Sequence, residues 1–154
     1  MLYKTIGRIL KLGTLVSTWG LIFTVLLQIF CRFSWFNTPS WTEEASRLFF
    51  IYAISFASGL AMKNNFYVHL DMFYNRFGVK TKKILDLSIP LISMVLFLVM
   101  AVYSVKFILL GIVEKSPSMG FNMGAAFFSM FIMAVSIAYY LWKKLGKIVK
   151  TFER

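Results

Sequence analysis

Residues 121–142 read FNMGAAFFSMFIMAVSIAYYLW, an unbroken stretch without a single Lys, Arg, Asp or Glu. At about 1.5 Å of rise per residue, some 20 residues of helix cross a hydrocarbon layer about 30 Å thick. Lipid offers no hydrogen bonds, so a chain segment inside it must satisfy its backbone internally, which makes this stretch a transmembrane helix. Working outward, three more runs of the same kind cover about residues 12–31, 41–62 and 84–113. The whole composition agrees: 59% of the 154 residues are hydrophobic, 15% are charged, and the mean hydropathy is +0.74. A soluble domain carries nearer a quarter charged residues. It could not hide this much apolar side chain and keep a polar surface. The expected fold is therefore an all-α membrane protein with four transmembrane helices, forming a single domain over residues 1–154.

The same numbers exclude whole classes of function. One cysteine (Cys31) allows neither an intramolecular disulfide nor a cysteine metal cluster, and one histidine (His69) cannot build a multi-histidine site. A net charge of +11 could point to nucleic acid, but the cations fall between the apolar runs, where they fix membrane orientation instead. Three lie before the first run (Lys4, Arg8, Lys11), five between the second and third, and five after the fourth. The other two gaps hold only Arg32 and Arg47, then Lys106 and Lys115. The positive-inside rule then places both termini in the cytoplasm. The basic start could be the n-region of a cleaved signal peptide, but the apolar run that follows is too long for one and lacks a small-x-small cleavage site.

Between the second and third runs, Phe66, Leu70, Phe73 and Phe77 recur at spacings of four, three and four. That predicts a short amphipathic helix over about 65–78, lying in the cytoplasmic interface, with Asn65 as its cap and Gly78 as its end; an irregular or re-entrant loop is the alternative. The third run, 84–113, is about 45 Å long as a helix and must tilt or protrude. Pro90 is placed to kink it, and Lys106 to reach the outer headgroups.

Chemistry is sparse. A coupled carrier needs an ionisable group near the membrane midplane, yet the first and fourth runs have none, and only Gln28 stands out as polar in the first. The richest cluster is Trp41-Thr-Glu-Glu-Ala-Ser-Arg47. Glu43 and Glu44 fall in the first turn of a helix, where its dipole favours them, and both are spaced to reach Arg47. Two readings stand side by side: an internal ion pair with dipole compensation, or a network completed by a partner subunit. His69 and Asp71, two apart on a helix, face different directions and make a poor catalytic pair. No nucleophile, metal-ligand or phosphate-loop pattern occurs, so no enzyme is expected. Ala53, Ala57 and Ala61 form a small-residue row suited to helix packing, as do Gly20 with Thr24, Gly120 with Gly124, and Ala134 with Ala138.

The order of these features resembles a known family. Arg32 closing the first helix, W-x-E-E-x-x-R from Trp41 to Arg47, H-x-D at His69 and Asp71, and Ser116-Pro-Ser-Met-Gly120 before the fourth helix resemble the small integral-membrane (Q) subunit of tripartite ATP-independent periplasmic (TRAP) transporters. The resemblance covers about residues 10–142. It implies a bacterial inner-membrane complex in which a periplasmic binding protein captures an organic anion, of the dicarboxylate or sialic acid class. A large elevator-type subunit then carries the substrate and sodium sites. The small subunit would hold no cofactor, touch the large subunit and membrane lipids, and brace the large subunit's scaffold. A standalone small transporter or channel, or an assembly factor for another membrane complex, are the alternatives.

Overall fold

The computed structural model describes residues 2–33, 39–64 and 78–152. Four helices make up nearly all of it: α1 (Leu2–Phe33), α2 (Trp41–Lys63), α3 (Val79–Val113) and α4 (Gly124–Phe152). Each holds a stretch long and apolar enough to span a membrane. Three helices overrun the apolar runs that announce them. Lys4, Arg8 and Lys11 belong to α1, and Lys143 to Lys150 continue α4, because Lys, Arg, Leu and Ile are good helix formers and no proline interrupts them. In α3 the helix continues through Pro90.

The expected interfacial helix, with His69 and Asp71, falls on residues 65–77, outside the described residues. Gly78 is described, and it serves the next element. Its extended backbone (φ −65°, ψ 161°) enters α3, and its carbonyl accepts the Lys82 N–H at 3.0 Å. One pairing read from the sequence needs correction. Gly120 does not share a helix with Gly124, because its φ of +69° puts it in a turn and α4 begins only at Gly124.

The helices stand in an open row. α1 packs on α2, α2 on α4, and α4 on α3, giving the spatial order α1–α2–α4–α3. The spine is α4: 44% of its spanning stretch is buried, against 11–17% in the other three. Ala134, Ile137, Ala138 and Leu141 form its enclosed side.

Close approach of the backbones explains the order. Antiparallel to one another, α1 and α2 meet where the rings of Phe56 and Phe49 sit in the notches at Gly13 and Gly20, where an added Cβ would come within 2.7 Å. Where three helices cross, Gly59 of α2 lies against Ser136 of α4 and Leu10 of α1. Nearer the other end, a Cβ on Gly111 of α3 would stand 2.6 Å from the Gly124 backbone nitrogen of α4. In lipid such contacts replace the hydrophobic drive, since tails are as apolar as leucine. The hydroxyls that intrude are satisfied within their own helices. Thr14, Ser55, Ser104 and Ser129 each donate to a carbonyl three or four residues back, at 2.7–2.8 Å.

Candidate functional site

The polar groups gather at one end of the row, around the first turn of α2. Pro39 starts the turn: its carbonyl accepts both the Thr42 N–H (3.1 Å) and the Thr42 hydroxyl (2.8 Å), and Thr42 is 1% exposed. From this fixed turn the next side chains diverge. Glu43 reaches along the helix to Arg47, pairing at 2.5 Å with both side chains largely in the open. Glu44, about 100° further round the helix, turns away from Arg47 toward the loop joining α3 to α4.

That loop is a miniature hairpin. Lys115 pairs with Asn122, the Ser116 N–H donates to Phe121 (2.9 Å), and the Met123 N–H donates to Glu114 (2.9 Å). The tip closes when the Gly120 N–H donates to the Ser116 carbonyl at 3.0 Å, in the left-handed conformation glycine tolerates. The turn leaves the N–H groups of Ser118 and Met119 pointing outward together. Both donate to the Glu44 carboxylate at 3.0 Å, and the buried Ser116 hydroxyl donates a third bond. A concave run of backbone donors around one carboxylate is an anion nest, and the charge on the acceptor strengthens each bond.

Three further bonds, from two side chains, tie neighbouring helices to this end. Gln28, on α1, donates its amide to the Thr42 carbonyl (2.8 Å) and to the Ser46 hydroxyl (3.3 Å). The Tyr52 hydroxyl, on α2, donates to the Ala125 carbonyl in the first turn of α4 (2.6 Å). The result is a latch joining α1, α2 and the α3–α4 hairpin. Beside it runs a groove with apolar walls, lined by Leu48, Ile51, Pro117, Phe121 and Met123, with Arg47 at its edge.

Of the sequence candidates, Glu43, Glu44 and Arg47 therefore share a turn but not a network. Trp41 opens α2 and is 41% exposed, and Arg32 is exposed in the last turn of α1. Ala53, Ala57 and Ala61 are half-buried, while the buried positions of α2 are Thr42, Ala45, Ser55 and Gly59. Sequence reasoning noticed Gln28 as polar without giving it a partner, and it gave Tyr52 no role. For Ser116–Met119 the available signal was a serine-glycine turn without an apparent purpose. Among the described residues no group of three His, Cys, Asp or Glu could hold a metal ion. The arrangement fixes helices in place.

Residues 21–151 match the family described as tripartite ATP-independent periplasmic transporters, DctQ component. The chain belongs to the DctQ family. That family is the small membrane component of TRAP transporters, and it works with a large membrane subunit and a periplasmic binding protein. With four candidate spans, this DctQ chain is a multi-pass membrane protein and a transporter component. All of the latch, from Gln28 to Ala125, lies inside the matched residues. No individual curated protein matches the chain.

Proposed function

We propose that this chain is the stationary brace of a sodium-coupled importer of an organic anion, of the dicarboxylate or sialic acid class, in the bacterial inner membrane. Both termini face the cytoplasm and the latch faces the periplasm. The latch carries the reading. It commits the carboxylate of Glu44 to the chain's own loop, and it ties α1, α2 and the α3–α4 loop to one another. A carrier site for an anion would offer a fixed cation or helix N-termini at midplane, and a sodium site would offer clustered oxygens. Here the polar groups hold helices to one another instead. The long apolar faces of α1 and α3, exposed along most of their length, suit the large subunit and lipid, and the half-buried row Ala53, Ala57, Ala61 suits close contact with a partner helix.

Reconstitution tests this directly. Vesicles holding the chain alone should accumulate no substrate under a sodium gradient. Vesicles holding the large subunit should do so only when this chain and the binding protein are also supplied. Uptake by the chain alone, or full uptake without it, would refute the brace.

A further inference from the structure

At the opposite end of the row lies a feature that bracing does not use. Tyr140, Lys143, Lys144 and Lys147 follow one another at i, i+3, i+4 and i+7 on α4, so they form a single stripe. The stripe faces Tyr3 of α1 and Lys63 of α2, and these six residues line a pocket open at the surface. Its aromatic floor is built edge to face: Tyr3 and Tyr140 have ring centroids 5.4 Å apart, and the Lys63 ammonium lies over the Tyr3 ring at 5.4 Å. No carboxylate is among the described residues that line it. Tyr140 is 3% exposed, and its hydroxyl has no hydrogen-bond partner among the described residues.

A buried phenol needs a partner, and the charged groups around this one are all donors. The Tyr140 O–H proton has no acceptor among the described residues, and the ammonium groups of Lys63, Lys143 and Lys144 at the pocket favour an anion in that role. The pocket sits where the apolar run of α4 gives way, one residue past Trp142, to lysines. That is the level of the headgroups, where tryptophan and lysine mark the interface. We propose that this pocket binds the phosphate of an anionic phospholipid headgroup, with the ammonium groups of Lys143, Lys144 and Lys63 around its oxygens and the Tyr140 hydroxyl donating to one of them. Lys63 swings off the Tyr3 ring to admit it. Gly7 gives that side chain its room, since a Cβ there would collide with the Lys63 ammonium.

Native mass spectrometry of the full chain, released from nanodiscs of phosphatidylglycerol and phosphatidylcholine, tests the site. Wild type should retain phosphatidylglycerol with about a tenfold preference. The double variant K143Q/K144Q should lose that preference, while K4Q/K11Q, equal in charge, should keep it. Tyr140→Phe, which removes one oxygen and alters no packing, should weaken retention about fivefold without changing the melting temperature in pure phosphatidylcholine. Equal retention by the two double variants, or no effect of Tyr140→Phe, would overturn the proposal. Displacement of the lipid by inorganic phosphate at matched concentration would reassign the pocket to a soluble anion. If purification with the large subunit excludes the lipid, and Tyr140→Phe instead loosens the two subunits, the acceptor is a partner carboxylate and the lipid assignment fails.

Discussion

Two adjacent glutamates have different fates because of where their neighbours lie. Glu43 finds Arg47 one turn on, a local rule that any reader of the sequence can apply. The residue one turn on from Glu44 is Leu48, and its donors come from Ser116, Ser118 and Met119, 72 to 75 positions away. Glu44→Ala should release the loop tip. Hydrogen exchange at the Ser118 and Met119 amides should quicken about tenfold or more, whereas Arg47→Ala should leave both unchanged. Gln28→Leu keeps the bulk of the side chain and removes the bond to Thr42. Interhelical hydrogen bonds in membranes average about 0.6 kcal/mol and reach about 1.7, so a loss in that range is expected from unfolding measured in mixed micelles. Gln28 was legible as an oddity in an apolar run. Its partner was not, because a side chain's polarity says that it needs a bond and not where the bond is.

The helices themselves were legible almost completely, since apolar length and backbone satisfaction are properties of the local chain. Where they touch was legible only as a class of residue. Small residues mark several faces equally well, and the fold uses Gly13 and Gly20 for rings, Gly59 for a three-helix crossing, and Gly111 for contact with the backbone of α4. Gly111→Ala should cost about 1–3 kcal/mol, because the atoms it meets include a main-chain nitrogen that cannot rotate away. Gly146, also in a helix, has nothing within 4 Å of an added Cβ. Gly146→Ala should therefore stabilise the chain by up to about 1 kcal/mol through helix propensity alone. Measured side by side in a thermal-shift assay, the two alanines should move in opposite directions.

At the scale of the molecule, a row of four helices leaves its two edge helices largely uncovered. Only 11% of the spanning stretch of α1, and 11% of that of α3, is buried within the chain. Orientation is the property most directly open to test. With Cys31 replaced by serine, a single cysteine at Lys115 should react with a membrane-impermeant thiol reagent added outside intact cells. A cysteine at Lys4 should react only after the membrane is opened. The reverse pattern would invert the assigned topology.

By themselves, the residues determined a four-span helical membrane protein, because hydropathy and helix length are summed along the chain. They also carried the family resemblance, through W-x-E-E-x-x-R and the serine-glycine loop. Tertiary structure alone decided that α4 and not α1 is the spine, that Glu44 belongs to the α3–α4 loop, and that Tyr140 meets Lys63 and Tyr3. These are matters of which distant backbones approach, and approach depends on the fit of rings into notches such as Gly13 and Gly20. Local pattern fixes what each helix can offer; only packing fixes which of its neighbours accepts.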